Sequence, residues 1–577
     1  MQTLRHLFLL LPFLIWFHVD AGQAQSTAIL SNQDRHHPIF AANGMVASQE
    51  ARATNAGVDI LRQGGNAIDA AVAVGFTLAV SLPRAGNLGG GGFMLLHHAG
   101  SGDTLALDYR EKAPVKAHRN LFLDSAGNVD KVKARFSHVS IGVPGTVAGL
   151  IEAHRRYGSL PLARVMAPAV ALADKGLTVT PGLARSLEKG RKRLSQWPAS
   201  AAIFYKPDGS RYQVGETLVQ RDLGQSLARI AATAGKDFYT GETAQAIVAE
   251  MAGNSGLISL DDLAAYRPVW RQPAQGGYRG YRIASMPPPS SGGLHLIQML
   301  NMLETFPLDK FGHNGVESLH VMVEAMKLAY ADRAQHLGDP DFWPVPGKGL
   351  IAKAYAQNLA ANIDRRRARP SVAISHGDPG PYESNETTHF SVMDRAGNVV
   401  SNTYTLNFSF GTGIVAKGTG ILLNNEMDDF SAKPGVPNAF GLIGGEANAI
   451  QGGKRPLSSM TPTIVFKDGQ PLLATGSPGG SRIITMVLQV LINVIDHGLN
   501  IAEATAAARV HHQWLPDKLF VERGLSPDTL ALLRQRGHNP VISRAAGSVQ
   551  SVMRLPEGLG FLGASDPRSL DALTAGY

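Results

Sequence analysis

Between Thr387 and Leu406 the chain reads as two β-strands joined by the tight turn Asp394-Arg395-Ala396-Gly397-Asn398, and this hairpin constrains the fold more than any other stretch. A three-residue loop with glycine in its left-handed position is a common hairpin connection. Pairing Asp394 with Asn398 fixes the register and sets Thr387 opposite Thr405. Directly paired residues project to the same face, so the two hydroxyls share a side of the sheet and Asn407 joins them by the period of two. A slip of one residue would send Thr405 to the other face. On these residues alone, the pair serves equally as an ordinary cross-strand contact between two threonines.

What precedes the hairpin adds a second possibility. Thr387-Thr388-His389 follows Glu386 and the run Gly377-Asp378-Pro379-Gly380-Pro381. Two adjacent threonines suit the start of a strand on β-propensity. They also suit a bond that is cut to leave a threonine with a free amine. Such an amine has a reference pKa of about 7.7–8.0, so near neutrality it can activate the residue's own hydroxyl.

The 577 residues, 44% hydrophobic and 17% charged, describe an ordinary globular protein able to bury a large core. The 63 glycines cluster, which points to tight turns and close backbone approaches. Residues 1–24 have a basic start at Arg5, an apolar run from Leu7 to Phe17 and small residues around Ala21–Ala24. This reads as a secretory signal peptide, too short to span a bilayer comfortably, and predicts a periplasmic or secreted protein with no stable membrane anchor. The absence of cysteine excludes disulfides, thiol chemistry and Cys-type metal sites. The net charge of +8 leaves anionic small substrates open. The richest basic runs, Lys189–Arg193 and Arg365–Arg367 with Arg369, read as solvated helix faces, so no nucleic acid partner is expected.

Along the chain, residues 48–62 read as a polar, Ala-rich helix stopped at Gly64-Gly65. Asn66 then caps a second helix with Asp69 in its first turn and an apolar body to Leu82, which reads as a buried core helix. The run Gly86–Gly92 lacks the Lys-Ser/Thr of a phosphate-binding loop, and reads as backbone packed tightly against another element or a ligand. A strand from Phe93 to His97 and a partner near Leu105–Arg110 follow. Residues 140–370 read as mostly helical. After Thr387 short strands alternate with turns, and helical patterns return near 482–497 and 501–509.

Several strings together resemble the γ-glutamyltranspeptidase family of N-terminal nucleophile hydrolases. They are Gly65–Ala71, Gly86–Phe93, Leu107–Glu111, Thr387-Thr388-His389, Asn424–Phe430, Lys454–Met460 and Gly476–Gly480, and the likeness runs from about Ala41 to Tyr577. The resemblance implies an α+β, four-layer αββα sandwich of the N-terminal nucleophile hydrolase type. It implies a proenzyme that cuts itself between Glu386 and Thr387 into a large subunit, residues 25–386, and a small subunit, residues 387–577. These form a heterodimer folded as one unit. Thr387 would be the nucleophile, Thr405 its orienting partner, and the amides of Gly479 and Gly480 the oxyanion hole. Arg110 with Ser458 and Ser459 would hold the α-carboxylate of a γ-glutamyl group, and Glu426 and Asp429 with Asn407 its α-ammonium. Phe440 lies in the segment resembling the substrate lid, where many bacterial relatives carry a tyrosine. A phenyl ring can shield the pocket but donates no hydrogen bond.

The implied substrates are glutathione and other γ-glutamyl compounds, with water, amino acids or peptides accepting the γ-glutamyl group. No metal or organic cofactor is implied. Two alternatives stay in view: a glutaryl (cephalosporin) acylase of the same superfamily, and an uncut periplasmic binding protein for γ-glutamyl peptides.

Overall fold

The Asn66 side chain starts the second helix as its sequence predicts. Its Oδ1 accepts from the backbone N–H groups of Ile68 and Asp69, and Asp69 Oδ2 accepts in return from the Asn66 N–H at 3.0 Å, a reciprocal cap. The helix Ala67–Ser81 that follows is buried along its whole length. A helix apolar all round belongs in a core. The preceding helix begins at Ala51, not Ser48: Glu50 caps it by accepting from the N–H groups of Arg52 and Ala53, while Ser48 closes the strand Gly44–Ser48. The computed structural model describes residues 36–379 and 389–577.

The hairpin has the register its turn dictates. Strands Phe390–Asp394 and Val399–Thr405 pair antiparallel, with Phe390 opposite Asn402 and Met393 opposite Val399. Asp394 locks the turn, its carboxylate accepting from both the backbone and the side-chain N–H of Asn398. Around this hairpin a seven-stranded sheet runs in the order Leu573–Gly576, Gly44–Ser48, Phe390–Asp394, Val399–Thr405, Gly91–His98, Asp103–Tyr109 and Val269–Arg271. A second runs Ile39–Ala41, Phe561–Ser565, Gln550–Arg554, Gln470–Gly476, Thr463–Lys467, Tyr281–Ser285 and Ala274–Tyr278.

The sheets face each other. Hydroxyls of the first bond to carbonyls of the second: Ser391 Oγ to Gln550 O at 3.2 Å and Ser401 Oγ to Thr463 O at 3.3 Å. Helices Ala51–Arg62 and Ala67–Ser81 cover the outer side of the first sheet, and helices Gly292–Leu303 and Ile483–Ile495 that of the second. The result is the expected α+β, four-layer arrangement.

One further expectation needed adjustment. The stretch 140–370 is mostly helical, yet it also supplies Val269–Arg271, which ends the first sheet, and Tyr281–Ser285 with Ala274–Tyr278, the last two strands of the second. The two outermost, Val269–Arg271 and Ala274–Tyr278, are short and only partly buried, so they carry no apolar run to announce them. The glycine run is explained by backbone alone: a Cβ on Gly90 would lie 1.9 Å from the carbonyl oxygen of Thr405. Among the described residues no helix is long and apolar enough to cross a membrane; residues 1–24 lie outside them.

Candidate active site

A pocket of about 570 Å³ opens where the hairpin strand ends. Nine residues picked out from separate parts of the sequence line it: Thr405, Asn407, Glu426, Asp429, Phe440, Ser458, Ser459, Gly479 and Gly480. The strand Val399–Thr405 delivers Thr405, whose carbonyl accepts from Asn87 Nδ2 at 2.9 Å. The Thr405 hydroxyl oxygen accepts from the Asn407 N–H at 2.8 Å, so the hydrogen of that hydroxyl is what it can offer a neighbour. Asn407 has φ +73°, a left-handed conformation that asparagine tolerates better than most residues. Its Nδ2 is tied to the carbonyl of Asn425 at 3.0 Å, and its Oδ1 has no bond among the described residues.

Arg110 lies beneath the pocket, fully buried at the end of the strand Asp103–Tyr109 and not among the lining residues. Its guanidinium is expected with Ser458 and Ser459, yet in the structure it is bonded to the two acids assigned to the ammonium: Nη1 donates to Glu426 Oε1, and Nη2 to Asp429 Oδ2 at 2.6 Å. Nε reaches the carbonyl of Pro456 at 3.3 Å. A third acid, Glu111, sits with Oε2 3.5 Å from Nη1 and is itself fully buried. Neither Glu111 oxygen has a hydrogen-bond partner among the described residues, nor has Glu426 Oε2. Burial pushes the Glu111 carboxyl up to about 7 against the pull of Arg110, and pushes Glu426 well above the usual carboxylate range. Glu111 and Glu426 are thus the two acids around this guanidinium that burial biases toward the protonated form.

Gly479 and Gly480 lead into the helix Ile483–Ile495 with φ +145° and +58°, backbone conformations that favour glycine. A Cβ on Gly480 would meet the Phe440 ring at 2.7 Å. The phenyl therefore lies directly on the glycine loop, and also stands edge-on to Phe408 with ring centroids 5.7 Å apart. The loop carrying Phe440 is pinned by Asn438, whose Oδ1 accepts from the N–H groups of Phe440 and Leu442. The Phe440 carbonyl accepts from Gln513 Nε2 at 3.2 Å. Backbone bonds and ring packing hold this cover in place.

Sequence reasoning missed Arg333, in the last turn of the helix Val316–His336, which lines the pocket behind the two serines. Its Nη2 donates to Ser459 Oγ at 3.2 Å and to the Ser458 carbonyl at 3.4 Å, and its Nε to Ser291 Oγ at 2.9 Å. Arg333 is buried on a helix that also buries Glu324, Lys327 and Asp332, so no local signal in the sequence set it apart. Arg84 and Arg193 were missed too.

His511 lies behind the lid and predicts an acid limit to stability. Its Nε2 shares a bond with Gln513 Oε1 at 3.0 Å, and Gln513 in turn holds Phe440. Burial lowers His511 from 6.5 to about 3, and His295 likewise. In the unfolded chain both protonate below pH 6.5, whereas the fold keeps them neutral down to about 3. Their contribution is therefore present above pH 6.5 and lost as pH falls toward 3, at about 1.4 kcal/mol per unit of displaced pKa. We expect Tm to fall steadily from pH 6.5 to pH 4 and the slope to flatten in His511→Gln; an equal slope in that variant would contradict this origin.

Glu386 and Thr387, the expected cleavage site and nucleophile, lie outside the described residues. His389 is described: its imidazole bridges the hydroxyls of Ser391 and Ser401 between the sheets, and burial holds its pKa well below 6.5.

A family model described as Gamma-glutamyltranspeptidase matches residues 53–576. The chain belongs to the γ-glutamyltranspeptidase family. Among its relatives, a glutathione hydrolase proenzyme of Escherichia coli (strain K12) is 56% identical over 94% of this chain and 94% of its own. The crystal structure of a cephalosporin acylase from Bacillus halodurans matches with TM-score 0.83 at 30% identity, covering 96% of this chain and 98% of that one. A Helicobacter pylori γ-glutamyltranspeptidase structure matches with TM-score 0.58 at 43% identity, covering 59% of this chain and 97% of that one.

Proposed function

We propose that this chain is an autoprocessed γ-glutamyl hydrolase and transferase, cleaving the γ-glutamyl amide of glutathione and related compounds. The observation that carries this reading is the convergence of the nine sequence-predicted residues on one pocket, above the Arg110–Glu426–Asp429 network. The hairpin register supports it as well: Phe390 stands opposite Asn402, the pairing that the turn predicts. The residues 1–24 deliver the protein for export.

In this mechanism the Thr387 hydroxyl attacks the Glu386 carbonyl, the amide C–N bond breaks to leave an ester and a free threonine amine, and water hydrolyses the ester, returning the Thr387 hydroxyl and leaving a carboxylate on Glu386. That amine then takes the proton of its own hydroxyl as Thr387 attacks the γ-carbonyl of the substrate. Thr405, whose oxygen already accepts from Asn407, gives its hydroxyl hydrogen to orient the nucleophile. The N–H groups of Gly479 and Gly480 take the developing oxyanion. The leaving amine departs, and water or a second amine resolves the γ-glutamyl ester.

The substrate's α-amino acid group enters an ion pair that already exists. Its carboxylate replaces one acid at Arg110 and is supported by Ser458 and by Ser459, behind which Arg333 stands. The displaced acid, Asp429 or Glu426, receives the α-ammonium together with Asn407 Oδ1. The exchange is neutral in charge, which limits the desolvation cost of burying a zwitterion.

The acylase likeness supplies the competing reading, and the ammonium distinguishes the two. A glutaryl group has no ammonium for Asp429. With matched anilides, we expect γ-glutamyl turnover to exceed glutaryl turnover by at least about tenfold, the worth of one charged hydrogen bond. Faster glutaryl turnover would overturn the assignment, and absence of both activities in a protein that remains one uncut chain would favour the binding-protein reading.

A further inference from the structure

The exposed end of the pocket is lined by arginines of two kinds. Arg568 is saturated: it pairs with Glu522 and, at 3.0 Å, with Asp566. Arg84 and Arg193 are not. Arg84 makes one side-chain bond, from Nη2 to Gln49 Oε1 at 3.4 Å. Arg193 donates from Nη1 to the carbonyls of Ser409 and Gly411 at 2.8 and 2.9 Å, and its guanidinium stacks 4.6 Å over Phe136. Neither has a carboxylate within ion-pair distance among the described residues, and both are half-buried. Burial lowers the basicity of each; at Arg193 no acid opposes that, and at Arg84 only Asp571 does.

Two desolvated cations with no carboxylate in ion-pair contact, both lining one pocket, are costly unless something anionic visits them. Their place says what it is. Both hold the segment that follows Thr405: Arg193 through Ser409 and Gly411, and Arg84 through its own carbonyl, which accepts from the Phe410 N–H at 2.9 Å. The buried end of the pocket, with Glu426, Ser458 and Ser459, is taken by the γ-glutamyl group in the reading above, on which this inference rests. Whatever is attached to the far side of the scissile amide then lies toward Arg84 and Arg193.

We propose that Arg84 and Arg193 recognise a carboxylate on the amine partner of the reaction, both the amine that leaves and the amine that arrives. The preferred partners are amino acids and short peptides with a free carboxyl terminus. Arg193 belongs to the run Lys189–Arg193, whose other basic residues are exposed or half-exposed. It alone of that run turns into the pocket, as the last basic residue of the helix Pro181–Leu194.

The test compares hydrolysis of γ-glutamyl-para-nitroanilide with that of its ring-carboxylated counterpart, in wild type and in Arg84→Gln and Arg193→Gln. Loss of one charged hydrogen bond predicts that the ratio of kcat/KM, carboxylated over neutral, falls by about ten- to a hundredfold, carried by KM. An unchanged ratio would overturn the proposal, including the case in which both variants merely cut themselves less well. Because Arg193→Gln removes bonds to Ser409 and Gly411, a second measurement uses the wild type alone. A dipeptide acceptor should outcompete its carboxyl-terminal amide, and the advantage should shrink with added salt. Equal use of acid and amide would also refute it. If wild type hydrolyses neither anilide, the γ-glutamyl reading itself has failed; if it hydrolyses both and only the ratio is insensitive, the carboxylate site alone has failed.

Discussion

Thr387→Ala should accumulate as a single uncut chain with activity toward γ-glutamyl anilides reduced at least about a thousandfold, the scale seen when a covalent nucleophile is removed. One residue supplies the hydroxyl that cuts the chain, the hydroxyl that attacks substrate and, after cutting, the amine that serves as base. Removing it ends all three. Thr388→Ala should still cut, because the proposed reading makes Thr387 and not its neighbour the nucleophile, and the turn-derived register predicts position 387 opposite Thr405. Denaturing gels with amino-terminal sequencing decide the matter: wild type should show a second terminus reading Thr-Thr-His-Phe-Ser. Normal cutting in Thr387→Ala, or a cut at another bond, would contradict the assignment.

Arg110→Met should cost about 3–5 kcal/mol of stability in addition to activity, because it leaves Glu111, Glu426 and Asp429 buried around a missing cation. The loss would be read as a lower urea midpoint or Tm. Adding Glu426→Gln should restore part of the stability without restoring turnover, since it removes a charge that no longer has a partner. If Arg110→Met instead melts like wild type and only KM rises, the arginine serves substrate alone and the acidic cluster is not balanced by it. The loss should also deepen as pH rises through about 7, where Glu111 takes on charge.

Much of this arrangement could be read from local chemistry. Gly397 and the flanking Asp394 and Asn398 specify the turn, and the turn specifies the register that sets Phe390 opposite Asn402. Asn66 and Asp69 announce a helix start three residues apart. The motifs around Asn424, Lys454 and Gly476 carry the pocket, although nothing local says that they meet. The arginines were illegible for a physical reason. Arg333 lies on a helix buried on every side near its end, with Lys327 and Asp332 buried beside it, so no polar stripe separates a functional cation from a structural one. Arg193 shares a basic run with residues facing solvent, and only the three-dimensional course of the chain after Thr405 turns it inward. The position of Arg110 beneath the pocket, paired to Glu426 and Asp429, was equally beyond one-dimensional reading.

The strand order carries a consequence for the protein after it has been cut. In the first sheet, strands from before residue 380 and from after residue 388 interleave: Leu573–Gly576, then Gly44–Ser48, then the hairpin, then Gly91–His98. In the second, four adjacent strands of the later part are flanked by strands of the earlier part on both edges. Each fragment supplies hydrogen-bonding partners that the other lacks, so neither has a closed core of its own. Separation of the fragments and unfolding are therefore one event. Dilution should not dissociate the mature protein at any concentration where it stays folded, and the two halves, made apart, should regain activity only when refolded together.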